Sequence, residues 1–245
     1  MNLDKTVKPN QQDNRGKKQQ VSNMFDKIAP YYDFLNRFLS LGIDTIWRKK
    51  AINMLKVHQP KHILDVATGT ADVAIEMANR LQPDRIIGLD ISNEMLEVGR
   101  KKITKKQLDP VIELQLGDSE NLPFKDNTFD AITVAFGVRN FENLEKGLRE
   151  MQRVLKANGH VVVLEFSKPS IFPFKQLFNL YFKYILPFIG KMTSKDPDAY
   201  AYLYKSVQAF PDGNKFVEVL EKTGFKSIEC RRLSLGICTI YFGEK

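Results

Sequence analysis

Ile63-Leu64-Asp65-Val66-Ala67-Thr68-Gly69-Thr70-Ala71-Asp72 is the stretch on which the fold turns. An apolar, β-branched run ends in a turn of small residues, and Val73 to Leu81 then place apolar side chains at helical spacing, so it reads as strand, tight turn and helix. Small side chains at Ala67, Thr68, Gly69 and Thr70 let a ligand approach the backbone, and the N–H groups of the helix start face the same space. This is the opening unit of a nucleotide-type binding sheet, although the ligand need not be a dinucleotide.

Downstream the alternation continues, with strands expected near 85–90, 111–116, 129–136 and 160–166 and helices near 93–107 and 142–156. A helix near 212–223 and strands near 226–233 and 236–242 close the chain. The expected fold is α/β and Rossmann-like, a seven-stranded, mostly parallel sheet with helices on both faces, occupying 59–245. Within it, 169–205 breaks the rhythm as an aromatic helical insertion, with a helix at 174–186 that serves either as core or as a wall for an apolar ligand tail.

Upstream, residues 1–20 are polar and carry almost no large apolar groups, which predicts a disordered basic tail. Residues 21–58 change character: Phe25, Ile28, Tyr31, Tyr32, Phe34 and Trp47 predict short helices broken near Pro30 and Gly42. Because they precede the first strand, a helical lid is the expected assignment.

Lys and Arg number 37 against 29 Asp and Glu, a net charge of +8, which suggests an anionic surface or ligand. The run Arg100, Lys101, Lys102, Lys105 and Lys106 reads as a solvated helix face or as an attraction to anionic lipid. Cys230 and Cys238 lack metal or redox spacing and are expected as reduced residues on neighbouring strands. His58, His62 and His160 are scattered, so no metal site is expected. Without a signal peptide or a spanning segment, the reading is a cytoplasmic protein, compatible with contact at the inner face of a membrane.

Two acids narrow the ligand. Asp90 ends the second strand, twenty residues beyond Thr70, where a carboxylate accepts from both hydroxyls of a ribose. The three-glycine pyrophosphate fingerprint is missing from the turn, which argues against a dinucleotide. Asp118, followed by Ser119, ends the third strand beside the crevice, where it can accept from an adenine amino group or simply form a turn.

The turn, Asp90, the segment Asp118-Ser119-Glu120-Asn121-Leu122-Pro123-Phe124 and Phe129-Asp130-Ala131-Ile132 together resemble a class I S-adenosylmethionine-dependent methyltransferase. Tyr32-Asp33-Phe34-Leu35-Asn36 through Trp47, Phe136-Gly137-Val138-Arg139-Asn140, and Arg153-Val154-Leu155-Lys156 through Leu164-Glu165-Phe166-Ser167 resemble, more narrowly, the ubiquinone/menaquinone biosynthesis C-methyltransferase family. The resemblance implies that S-adenosylmethionine is the cofactor, contacted by Thr70, Asp90, Asp118 and Ser119, with Asp65 and Gly69 supporting its methionine end. It also implies a prenylated demethylmenaquinol substrate, or the related benzoquinol, methylated on a ring carbon.

Such a carbon becomes nucleophilic when a neighbouring hydroxyl loses its proton, so the site needs a base or a stabiliser of the phenolate. Arg139 and Asn140 are the candidates to bind that oxygen or to position a water, with Tyr32 and Asp33 in the lid above. Asp44 stands where the family usually has histidine, Ala157-Asn158 replace its usual Pro-Gly, and Ala135 replaces a serine found in some members. Methylation of another apolar small molecule and a non-catalytic cofactor-binding subunit remain alternatives. A nucleic-acid substrate is disfavoured because basic residues are not interleaved with exposed aromatics. A homodimer is compatible with the sequence.

Overall fold

The computed structural model describes residues 7–181 and 197–245. Among them, seven strands form one sheet: β1 (His62–Val66), β2 (Arg85–Asp90), β3 (Ile112–Leu116), β4 (Phe129–Ala135), β5 (Leu155–Phe166), β6 (Lys226–Leu233) and β7 (Cys238–Glu244). The helices are α1 (Lys17–Ile28), α2 (Tyr32–Leu39), α3 (Ile43–Asn53), α4 (Asp72–Leu81), α5 (Asn93–Lys105), α6 (Leu144–Val154), α7 (Phe174–Leu180), α8 (Pro197–Ala209) and α9 (Asn214–Lys222). Strand order is β3-β2-β1-β4-β5-β7-β6, with β7 antiparallel to both neighbours and every other pairing parallel. The order reverses at β1, so a crevice opens at the carboxyl ends of β1 and β4.

Strand alternation divides the core. Leu64 and Val66 of β1 pack with Ile132, Val134, Val161 and Val163 beneath α6 and α9, whereas Ile63 packs with Ile86, Ala131 and Val162 on the other face beneath α4. Asp65 faces that second side, where it meets Thr133 of β4. Cys230 and Cys238 are free thiols on the adjacent strands β6 and β7.

Three expectations need correction. Helix α3 belongs to the core and not to a lid: Trp47 and Ala51, spaced four apart, and Ile52 are buried with Ile63 and Val73. Standing before β1 in sequence does not keep it off the sheet, because an apolar stripe at helical spacing buries wherever the sheet face is free. Residues 17–20, expected within a disordered tail, are the first turn of α1. Lys17 is buried there, its ammonium donating to the carbonyls of Arg139 (3.0 Å) and Phe141 (2.7 Å), and its backbone N–H to Glu142 (2.8 Å). These long-range bonds offset the ordering entropy in a way that local composition does not reveal. Lys102 does not lie on a solvated face; its ammonium turns inward to Asp33 and Asp72.

Smaller differences follow from pairing. Leu155 already pairs with Phe129, so β5 begins where the preceding helix was expected to continue. Of the helix expected at 174–186, the part beyond Tyr181 lies outside the described residues, as do residues 1–6.

The turn after β1 is strained. Ala67 (φ 54°), Gly69 (φ 57°) and Ala71 (φ 64°) are left-handed, a conformation that costs an alanine on the order of 1–2 kcal/mol. It is held from below by Asp65, whose carboxylate accepts from Thr68 Oγ1 and Thr133 Oγ1, both at 2.6 Å. Gly137, after β4, lets this turn approach: a Cβ there would stand 2.6 Å from Ala67 Cβ.

The Gly137→Ala variant is therefore expected to lose about 1–3 kcal/mol of stability in denaturant titration, because neither backbone can give way easily. A second expectation concerns Asp65. Burial raises its carboxyl from 3.8 to about 6, against the two hydroxyl bonds. A raised acid favours folding fully below its unfolded pKa, and the contribution is lost as pH rises through the folded value, here from about 4 through about 6, roughly 3 kcal/mol in all. Asp65→Asn, which keeps partners for both threonines, should gain stability relative to the parent across that interval. A difference that stays constant with pH would contradict this.

Candidate active site

At the carboxyl ends of β1, β2 and β3 lies a cleft walled by Gly69, Asp90, Asp118 and Ser119, with Ala135 and Gly137 on the β4 side. Asp90 Oδ2 accepts the Gly69 N–H at 2.8 Å and Oδ1 accepts the Ser92 N–H at 2.9 Å, so this acid fixes both the turn and the start of α5. Burial pushes its carboxyl upward in pKa, against these N–H bonds. Each carboxylate oxygen keeps a further lone pair for a ligand hydroxyl. Asp118 Oδ1 accepts the Glu120 N–H (2.9 Å), the turn geometry of an aspartate, while Oδ2 receives Lys18 of α1 at 2.6 Å. Helix α1 thus crosses over the cleft, and Lys18 lies at the acceptor expected for an adenine.

Next to the cleft is a second cavity of about 360 Å³. Its walls are apolar, from Met24, Leu35, Trp47, Phe166, Phe178 and Ile237. Phe25, Tyr32, Phe136 and Asn140 line both spaces and form the partition between them. Phe136 holds φ 58°, rare for a bulky residue, so backbone strain collects on both sides of this partition.

The polar groups of the cavity, Asp44 and Arg48 among them, are incompletely paired. Arg139, on the short 3₁₀ turn Val138–Asn140, pairs with Glu165 through Nη1 at 2.8 Å and lies over the Phe166 ring, 5.5 Å from its centroid. Glu165 is wholly buried; desolvation raises its pKa and the Arg139 charge opposes that. Arg139 Nε and Asn140 Oδ1 are buried without a hydrogen-bond partner among the described residues, as is the hydroxyl of Tyr202 on α8. An unmet donor or acceptor in an apolar cavity costs about 1–3 kcal/mol, which a polar ligand would recover.

Asp33 and Thr70 line neither space. The Thr70 hydroxyl bonds Asp33 Oδ1 at 2.5 Å, and Lys102 joins Asp33 (2.8 Å) to Asp72 of α4. Arg48 of α3 continues the web to Asp72 (2.7 Å) and Asp44 (3.3 Å), and Asp44 accepts from Ser40. This chain of charges ties α2 and α3 to the turn. Asp65 likewise acts from below the turn and not from the cleft wall. The structure therefore gathers Gly69, Asp90, Asp118 and Ser119 around one space and Tyr32, Arg139 and Asn140 around the other, while Asp33, Thr70 and Asp65 support the turn. Sequence reasoning overlooked Glu165, Lys102 and Tyr202. A lone acid at the end of an apolar strand was the available signal for Glu165, whereas a lysine in a basic run and a tyrosine among tyrosines offer none.

Donor and acceptor chemistry suits a nucleoside better than a phosphate: the cleft offers carboxylates to hydroxyl and amino groups. Among the described residues, no cluster of three or more His, Cys, Asp or Glu is arranged to hold a metal.

Solved structures share this fold. An S-adenosylmethionine-dependent methyltransferase of Thermotoga maritima superposes with a TM-score of 0.65 at 18% identity, covering 92% of this chain and 99% of its own. One from Methanococcus maripaludis gives 0.60 at 22% identity, covering 96% and 97%. Sequence relatives are far closer: the demethylmenaquinone methyltransferase of Bacteroides fragilis is 52% identical over 98% of this chain and 97% of its own length. The ubiquinone/menaquinone biosynthesis C-methyltransferase of Geotalea daltonii is 47% identical over 94% and 97%. The model of the ubiE/COQ5 methyltransferase family matches residues 13–245, and the chain belongs to that family.

Proposed function

We propose that this protein transfers a methyl group from S-adenosylmethionine to a ring carbon of a prenylated demethylmenaquinol, forming menaquinol. The observation that carries the reading is the partition of Phe25, Tyr32, Phe136 and Asn140: an acid-lined cleft for a nucleoside and an apolar cavity with unmet polar groups meet across it.

The residues present fit the cofactor. Asp90 has free lone pairs for ribose hydroxyls, Asp118 and Ser119 stand where an adenine edge would lie, and the Gly69 turn leaves room for the methionine end. Thr70, with Asp65 below it, holds that turn in shape. When bound, S-adenosylmethionine supplies a methyl group on a positively charged sulfur, the leaving group for attack by carbon.

The protein's part is to orient, desolvate and favour the phenolate. Arg139 is permanently charged, and its Nε–H is a donor for an oxyanion; Glu165 fixes the guanidinium so that this edge is the one left open. Asn140 Oδ1 accepts from a hydroxyl at the partition. Tyr32, its phenol pushed up in pKa by burial, closes the wall as a neutral ring. Asp33 holds α2 to the turn, so that the partition and the cofactor cleft keep register.

The apolar cavity runs outward to exposed Leu41, Ile43, Phe174 and Leu177, and Phe34, Phe38 and Phe172 continue the apolar surface. Such a rim suits a substrate whose tail is held in a bilayer, at the inner face of the membrane. Among the described residues no helix is long and apolar enough to cross one.

Purified protein given labelled S-adenosylmethionine and a short-chain demethylmenaquinol under reducing conditions should methylate the quinol and leave the oxidised quinone untouched, with the benzoquinol assayed alongside. Arg139→Met should lower kcat/KM by roughly 100-fold or more with cofactor affinity unchanged, whereas Asp90→Ala should weaken cofactor binding roughly 10- to 100-fold. Cofactor binding without transfer to either quinol would overturn the reading. In a vesicle sedimentation assay, the protein should partition onto anionic bilayers and Phe34→Asp should reduce it; equal partitioning of the two would remove the membrane contact.

A further inference from the structure

Tyr202 and Asn140 are the neutral side chains among those left with an unpaired buried atom around the apolar cavity, and Tyr202 is the one that does not also line the cleft. Its ring packs against Val21 and Met24 of α1, and only 2% of the residue is exposed. The residue lines the cavity, and its hydroxyl has no hydrogen-bond partner among the described residues. Burying a hydroxyl unpaired is unfavourable, and phenylalanine would fill the same volume without that cost. A tyrosine here therefore asks for a ligand.

The position limits what the ligand can be. Helix α8 packs against the turn that carries Arg139 and Asn140, and the Tyr202 hydroxyl feels the charges of Arg139 and Glu165. It thus belongs to the same polar end of the cavity as those two residues. Two other unpaired atoms, Asp44 Oδ2 and Arg48 Nε, belong to residues already held in an ion pair, Arg48 Nη2 lying 3.3 Å from Asp44 Oδ2. Asn140 lines both the cleft and the cavity, so an oxygen it binds lies beside the methyl donor. Tyr202 lines the cavity and not the cleft. Burial drives its pKa upward, so it stays protonated and can both donate and accept. A hydroquinone presents two oxygens across one ring, of which only the one next to the reacting carbon needs to ionise; the other remains a hydroxyl, itself donor and acceptor.

We propose that Tyr202 binds the substrate directly, its hydroxyl hydrogen-bonding the hydroquinone oxygen remote from the methylated carbon. This rests on the quinol-methylating reading above and deepens it: the ring is gripped at both oxygens, and the second grip selects a dihydroxy ring over a monohydroxy one. No covalent step is assigned to Tyr202. It fixes the rotation of the ring in its plane, and with it which carbon faces the cofactor.

The test compares two substrates on two proteins: a short-chain demethylmenaquinol and its analogue with hydrogen in place of the remote hydroxyl, on the full-length parent and on Tyr202→Phe. The parent should prefer the dihydroxy substrate by roughly tenfold or more in kcat/KM. Tyr202→Phe should lose a similar factor on the dihydroxy substrate, lose little on the analogue, and so discriminate weakly between them. Its melting temperature should match or exceed the parent's, since an unpaired buried hydroxyl has been removed. A parent that uses both substrates equally, a variant that keeps the parent's preference, or a variant that loses activity equally on both would overturn the proposal. Absence of transfer by the parent to the dihydroxy substrate would instead overturn the functional reading beneath it.

Discussion

Two buried carboxylates shape the turn between β1 and α4, and the site follows from that turn. Asp65 accepts from Thr68 and Thr133, and Asp90 accepts from the Gly69 N–H, so each side of the turn is pinned to a neighbouring strand. The pinning matters because the backbone between them is unfavourable, with Ala67 and Ala71 left-handed and no side-chain volume to spare above Gly137. Desolvating Asp65 is itself unfavourable, and the raised carboxyl records it. What the arrangement gains is a main chain close to a ligand, with no side chain in the way.

From the turn outward the structure is layered by polarity. A cleft of carboxylates and small residues gives way at Tyr32, Phe136 and Asn140 to an apolar cavity. Charges that serve the scaffold form a web, Asp33, Lys102, Asp72, Arg48 and Asp44, which joins the turn to α2 and α3. Two members of that web, Asp44 and Arg48, reach the cavity wall as an ion pair, and Arg139 over Glu165 presents a second cation there. A largely apolar space with oriented, ion-paired cations in its wall is a suitable environment for a phenolate beside a sulfonium.

The sequence made the alternating core legible because period-two strands and period-3.6 helices leave their marks locally. Asp90 and Asp118 were legible for a related reason: residues at strand ends in a doubly wound sheet face the crevice whatever the rest of the chain does. What could not be read was tertiary. Trp47, Ala51 and Ile52 carry a stripe that says only that α3 buries a face, not which one it meets. Lys17 and Lys18 look like tail residues until the carbonyls of Arg139 and Phe141 and the carboxylate of Asp118 are placed around them. Asp33 and Thr70 looked like ligand contacts but are bonded to each other, and Tyr202 stands out only once its hydroxyl is found unpaired. Partnership between distant residues is the information that composition and spacing lack.

The central claim is that cofactor and quinol occupy adjoining spaces divided by Tyr32, Phe136 and Asn140. A crystal structure of the full-length protein with S-adenosylhomocysteine and a short-chain hydroquinone tests it most directly. The account predicts the nucleoside between Asp90 and Asp118, with Lys18 displaced from Asp118, and the hydroquinone ring in the apolar cavity with an unsubstituted ring carbon facing the sulfur. A hydroquinone bound outside that cavity, or a sulfur directed away from the partition, would contradict it.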